Sequence, residues 1–280
     1  MMAYLFSIET LRLYLSTLDA VRLIWTPHRP QTDAERRGLA WWVAVLICKP
    51  FLMVLRRPDW RGVSGIPRSG GAVLAANHVS HIDPLLVAEM VLSTGRVPRF
   101  LAKDNLFHGP IVGRWFRAAG HVKVDRAAGR AGYDDAVNAA RCGQLLLVYP
   151  EGSISKREDG LPMTMKSGAV RIALEASVPL LPVAQWGAQE ILPAYSGRLR
   201  WGWRRQASVF VGAPVPLEDL RDLEPARAVE VGRQRLEDVL ITMVCELRGA
   251  TAPARSIRAQ APKAGSSGRE DPEPRTIAGP

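Results

Sequence analysis

Cysteine is scarce in this 280-residue chain. The three present, Cys48, Cys142 and Cys245, are widely spaced and form no CxxC pair. That argues against a disulfide framework or a cysteine-built zinc site and fits a reducing compartment. Histidine is nearly as rare, at five, with neither HxH nor HExxH, so a histidine-rich metal centre has few ligands to draw on. Lysine is also sparse: it supplies six of the 37 basic residues and arginine supplies the rest. Arginine suits bidentate contacts to phosphate, although a GC-rich genome would produce the same bias. The N-terminus, MMAYLFSIETLRLYL, has neither a basic leader nor a small-residue cleavage site and is not read as a signal peptide. No uninterrupted apolar run reaches the ~20 residues of a comfortable bilayer span. The longest apolar stretch, Leu39 to Leu55, has 17 residues and is interrupted by Lys49-Pro50.

What is present is an ordinary globular composition, 47% hydrophobic and 23% charged. The net charge of +10 implies an anionic partner: nucleic acid, an anionic membrane, or phosphorylated small molecules. Residues 1–71 hold ten of the basic residues against five acids. The segment Leu39 to Leu55 is expected to dip into a membrane or lie at its interface. Trp41 and Trp42 would then sit at headgroup level, with Arg56-Arg57 close behind. A full span and a soluble core helix are the alternatives. Upstream, Ile8, Leu11, Leu15 and Leu18 recur at helical spacing beside a polar stripe of Glu9, Arg12, Ser16 and Asp19, which predicts an amphipathic helix.

Three regions follow. Residues 1–60 read as N-terminal amphipathic and hydrophobic helices that associate with a membrane. Residues 61–249 alternate strand and helix patterns, which predicts an α/β domain with a parallel or mixed central sheet flanked by helices. Strands are expected at Ala72–Ala76, Arg99–Lys103, His121–Val124, Leu145–Tyr149, Leu180–Gln185 and Ala207–Val211. Residues 250–280, rich in Ala, Pro, Gly and Ser, read as a disordered tail.

Two strand ends carry chemistry-bearing residues. After AVLAA come Asn77-His78-Val79-Ser80-His81-Ile82-Asp83-Pro84. On a continuous helix His78 and Asp83 would lie roughly 140° apart and could not pair. If residues 78–82 form a turn instead, the Asp83 carboxylate can reach back to one imidazole nitrogen, fix the tautomer and raise the basicity of the other. The same residues also allow Asp83 to be a helix N-cap with Pro84 at N1, a metal set of His78, His81 and Asp83, or Ser80 as a nucleophile without a GxSxG elbow. After LLLVY come Pro150-Glu151-Gly152-Ser153-Ile154-Ser155, then Lys156, Arg157 and, at a helix opening, Lys166. Exposed N–H groups and cations there could cradle a phosphate, or the stretch could be a solvated surface turn. Two further segments stand out: Gly120 to Arg126, where Arg126 could grip a phosphate, and VPLLPV at 178–183. The stretch Arg198 to Arg205, with Trp201 and Trp203, suits base stacking or a membrane rim, but no nucleic-acid-binding signature accompanies it.

Taken in order, NHVSHID, GHVKVDR, YPEGS and VPLLPVA, with MKSGA between the last two, resemble the ordered blocks of the glycerolipid acyltransferase family, in particular bacterial 1-acyl-sn-glycerol-3-phosphate acyltransferases. The resemblance covers about residues 50–215. It implies a single glycerolipid-acyltransferase-like domain preceded by membrane-associating helices. The implied reaction is acyl transfer from acyl-CoA or acyl carrier protein to the sn-2 hydroxyl of a lysophospholipid, giving phosphatidic acid if the acceptor is lysophosphatidate. Another lysophospholipid or glycolipid acceptor is the alternative, and a non-catalytic membrane-binding protein of the same fold is a more distant one. His78 would be the general base and Asp83 its orienting partner. Asn77, Lys103, Arg126, Glu151, Gly152, Ser153 and Lys166 would bind substrate. Neither metal nor cofactor is implied, and nucleic acid is not expected as a partner. The expected place is the cytoplasmic face of the cell membrane, attached peripherally or monotopically at an anionic surface. Ile154 stands where many members carry Arg, which leaves the acceptor open.

Overall fold

The computed structural model describes residues 38–124, 131–200 and 204–250. The expected N-terminal amphipathic helix, Arg126, Trp201, Trp203 and residues 251–280 lie outside them. Elements are numbered here from the first described helix.

A helix α1 (Leu39–Leu55) leads into β1 (Arg56–Arg61) and, after a glycine-rich loop, β2 (Ala72–Ala76). Then follow α2 (Asp83–Ser93), β3 (Pro98–Lys103), α3 (Val112–Ala118), β4 (Val122–Val124) and α4 (Ala131–Arg141). The chain continues through β5 (Leu145–Val148), α5 (Gly168–Ala176), β6 (Leu180–Trp186), the short α6 (Ala188–Ile191), β7 (Arg205–Val211) and α7 (Pro225–Arg248). The seven strands form one mixed sheet in the order β1-β7-β6-β2-β5-β3-β4. Strands β2 to β6 run parallel to one another, β7 is antiparallel to β6, and β1 pairs parallel with β7.

The central strands are apolar throughout because both faces are covered, as a parallel sheet between helices requires. In β2, Ala72, Leu74 and Ala76 join one core, while Val73 and Ala75 join the other. In β5, Leu145 and Leu147 alternate with Leu146 and Val148 in the same way. Helices α1, α2 and α3 cover the first face, and α4, α5 and α7 the second. The result is a three-layer α/β/α arrangement.

Strand β1 has no counterpart among the expected strands. Its sequence, RRPDWR, is charged and contains a proline, which reads as a flank rather than a strand. It forms because it lies at the sheet edge, where Pro58 forfeits no ladder bond on its open side. It pairs with β7 from Arg56↔Arg205 to Arg61↔Phe210. The sheet therefore begins at Arg56, inside the region expected to be a separate N-terminal part.

Helix α1 has the boundaries expected for the apolar stretch and runs unbroken through Pro50. It has two apolar faces. Trp41, Leu52 and Leu55 pack into the first core. The Trp41 indole N–H donates to the Ala119 carbonyl at 3.1 Å, and its ring meets Trp115 edge-on at 5.6 Å. At 2% exposure, Trp41 is a core residue rather than a headgroup anchor. The opposite face shows Leu39, Val43, Leu46, Ile47 and Val54 to the outside, with Leu46 and Ile47 at 65% and 67% exposure. Among the described residues, no helix is long and apolar enough to cross a membrane.

Candidate active site

All five parallel strands deliver their C-terminal ends to one edge of the sheet, where α/β proteins gather reactive groups. β2 brings His78 to this edge, β5 brings Tyr149 and Glu151, and β3 brings Lys103.

Residues 78–82 leave β2 as a turn, and Asp83 is the first residue of α2. The Asp83 side chain caps no helical N–H. It turns back into the loop, where Oδ2 accepts from the N–H groups of Val79 at 2.6 Å and Ser80 at 2.8 Å. The same oxygen lies 2.9 Å from His78 Nδ1. A carboxylate there makes Nδ1 the donor and leaves Nε2 as the proton acceptor. Asp83 is fully buried, whereas the His78 side chain is 16% exposed, so the pair presents only the imidazole outward. Burial pushes the Asp83 carboxyl up from its ordinary range, while the His78 contact and the two N–H groups pull it back toward the ionised form.

Glu151 is buried, and its carboxylate is committed to main chain. Oε1 accepts the His78 N–H at 2.9 Å, and Oε2 accepts the Met163 N–H at 2.8 Å. The His78 carbonyl in turn accepts from the Ser155 N–H at 2.7 Å. Both main-chain polar groups of the histidine are thus pinned by the β5–α5 loop. Burial outweighs these N–H donors and pushes the Glu151 carboxyl up to about 7. The turn that aims Glu151 closes with the Gly152 N–H on the Tyr149 carbonyl, and Gly152 sits at φ +75°, a region that glycine enters freely.

Of the remaining residues singled out in the sequence, Gly152 and Ser153 lie on this turn. Asn77 does not face the site. It is wholly buried, and its amide bonds in both directions to the Gln185 main chain, at 3.1 and 2.7 Å. Gln185 returns the contact through Nε2 to the Asn77 carbonyl at 2.9 Å. Asn77 therefore ties the end of β2 to β6 behind the histidine. Lys103 and Lys166 are exposed, Lys103 at the end of β3 and Lys166 just before α5, where its N–H bonds Pro150. Lys123 pairs with Asp104 at 2.9 Å and Arg157 with Asp159. Ile154 is buried, and its carbonyl accepts the Tyr195 hydroxyl at 2.7 Å. Ser80 is buried with its hydroxyl on the Leu192 carbonyl at 2.6 Å, so it does not present a nucleophile. His121 is a core residue: its Nδ1 accepts the Phe100 N–H at 3.1 Å, and burial with the nearby Arg99 charge pushes it down to about 3. Among the described residues, no three His, Cys, Asp or Glu side chains gather as a metal set would.

Three participants were not singled out from sequence: Met163, Gln185 and the ring of Tyr149, which lies on the His78 imidazole with centroids 4.3 Å apart. Met163 acts through its main-chain N–H, as does Ser155, expected to offer its hydroxyl, and such groups leave no compositional mark.

The histidine–aspartate pair thus sits on a loop at the carboxyl edge of a mixed α/β sheet, and residues 57–186 match the acyltransferase family model. The chain is 32% identical over 190 residues to the human 1-acyl-sn-glycerol-3-phosphate acyltransferase alpha, covering 64% of this chain and 62% of that protein. It is 28% identical over 168 residues to a chloroplastic 1-acyl-sn-glycerol-3-phosphate acyltransferase of Brassica napus, covering 59% of this chain and 47% of that protein. The chain thus spans about half the length of the curated relatives it matches. The crystal structure of the 1-acyl-sn-glycerophosphate acyltransferase PlsC from Thermotoga maritima superposes with a TM-score of 0.61 at 21% identity, covering 86% of this chain and 91% of that one, and shares the fold.

Proposed function

We propose that the chain is a lysophosphatidate acyltransferase. It would move an acyl group from acyl-CoA or acyl carrier protein to the sn-2 hydroxyl of 1-acyl-glycerol-3-phosphate, forming phosphatidic acid. The observation that carries this reading is the His78–Asp83 pair, with Nδ1 held at 2.9 Å and Nε2 left toward the open edge. The relatives named for this reaction support it.

The acceptor hydroxyl binds at His78 Nε2. As its oxygen attacks the thioester carbonyl, the proton passes to Nε2, and Asp83 stabilises the imidazolium. The tetrahedral oxyanion collapses, the C–S bond breaks, and the proton goes on to the departing thiolate. The oxyanion needs a donor. The N–H groups of His78, Val79, Ser80 and Gly152 are already committed to Glu151, Asp83 and the Tyr149 carbonyl, so we place that donor at Ser153, the next residue of the turn. We assign Lys103 and Lys166, exposed at the end of β3 and just before α5, to the acceptor phosphate. The exposed apolar face of α1, followed by the exposed Arg57, would rest the domain on an anionic bilayer from which the lipid enters, whereas Arg56, also expected there, is buried against Glu89.

The test is turnover by the purified protein with acyl-CoA across a panel of lysophospholipids, with His78→Ala as control. Transfer to lysophosphatidate that His78→Ala abolishes, with the melting temperature unchanged, is expected. Wild-type turnover by His78→Ala would remove the base assignment.

A further inference from the structure

Tyr149 is the first residue after β5 and stands between the two blocks that hold the histidine. Its ring lies against the His78 imidazole, with centroids 4.3 Å apart and planes tilted by 31°. The residue is partly exposed, yet its hydroxyl is buried, beside Gln185 and Asp83. The ring therefore reaches inward from the mouth of the site, with one face against the imidazole. Gln185 is itself fixed by three hydrogen bonds to Asn77, and the Tyr149 carbonyl closes the Gly152 turn, so the main chain of Tyr149 is held while its hydroxyl lies buried beside a fixed side chain. Burial and the Asp83 charge push the phenol well above its ordinary range, which keeps it neutral.

Asp83 and Glu151 restrain His78 in other ways. Asp83 holds one edge of the imidazole, and Glu151 holds the main-chain N–H. Neither limits rotation of the ring out of its own plane. A flat surface on the imidazole face does, and its electron-rich π cloud attracts a cation placed over it.

We propose that Tyr149 is a positioning residue for His78: the face of its ring braces the imidazole and stabilises the imidazolium formed when His78 takes the acceptor proton. This rests on the reading of His78 as the base. The hydroxyl is not needed for the role, because it points away from the acceptor into the protein.

The test separates ring shape from ring charge. Tyr149→Phe keeps the face and should retain kcat within about threefold of wild type. Tyr149→Leu removes it and should lower kcat about tenfold, the factor expected for a partly desolvated cation–π contact, with KM little changed. Tyr149→pentafluorophenylalanine keeps the shape but reverses the ring quadrupole, and should match Tyr149→Leu in kcat while melting with Tyr149→Phe. That variant also keeps the test open if Tyr149→Leu fails to fold. Equal kcat for the phenylalanine and pentafluorophenylalanine variants would overturn the electrostatic role. A loss in Tyr149→Phe as large as in Tyr149→Leu would assign the effect to the hydroxyl and overturn the proposal. A wild type without turnover, measured alongside, overturns the function and this proposal together. An active wild type with an inert His78→Ala and a flat ring series overturns this proposal alone.

Discussion

Glu151 offers a prediction that needs no substrate. Its carboxyl is raised from 4.5 to about 7 by burial, despite two main-chain N–H donors. A raised carboxyl is neutral in the folded protein and ionised in the unfolded chain over the interval between those values. The unfolded state then binds fewer protons, so stability falls as pH rises through that interval and levels off above about 7. Each unit corresponds to 1.36 kcal/mol, so the full interval amounts to about 3 kcal/mol. Glu151→Gln removes the ionisation. Its amide NH₂ faces one of the two N–H donors, which adds a roughly pH-independent cost of about 1–3 kcal/mol for the lost hydrogen bond. The two contributions separate cleanly in equilibrium urea unfolding of both proteins between about pH 5 and pH 8. The stability difference between wild type and Glu151→Gln should shift by about 1.4 kcal/mol per pH unit in favour of the variant up to about 7, then flatten. A difference that is constant across this range would refute the account of Glu151 as a desolvated strut.

The remaining predictions concern the dyad and the outward face of α1. Asp83→Asn keeps an oxygen for the Val79 and Ser80 N–H groups but loses the charge, so kcat should fall by about 10³-fold or more with only a small change in melting temperature; a loss of stability without a kinetic defect would reduce Asp83 to a loop brace. Leu46→Glu combined with Ile47→Glu alters side chains that face outward, so the protein should fold but sediment far less with anionic vesicles. Unchanged sedimentation would mean that this face is not the lipid contact.

What could be read from the sequence and what could not divide by sequence separation. His78 and Asp83 lie five residues apart on one loop, and the turn between them was the single local condition their pairing required. The central strands β2, β5 and β6 were likewise legible, because a strand buried on both faces is a continuous apolar run whatever surrounds it. The restraints on His78 are different in kind. Glu151 reaches it across 73 positions, and Asn77 meets Gln185 across 108. No local pattern distinguishes a carboxylate that ties two loops together from one that awaits a ligand, so it is the family resemblance alone that casts Glu151 and Asn77 as substrate contacts. β1 was hidden for a related reason: its charged, proline-containing sequence becomes a strand only because β7 offers it an edge.

Helix α1 shows a further limit. Composition established that the stretch is apolar, and its boundaries at Leu39 and Leu55 followed. It could not apportion the apolar residues between a protein core and an outside surface, because both environments select the same side chains. The fold makes that division: Trp41 turns inward because Ala119 offers its indole N–H an acceptor, whereas Leu46 and Ile47 stay mostly exposed. The domain's own packing thus uses one face of the helix and leaves the other apolar. On the proposed function, that leftover face brings the carboxyl edge of the sheet to a bilayer, where a base buried on every side but one needs its substrate to arrive.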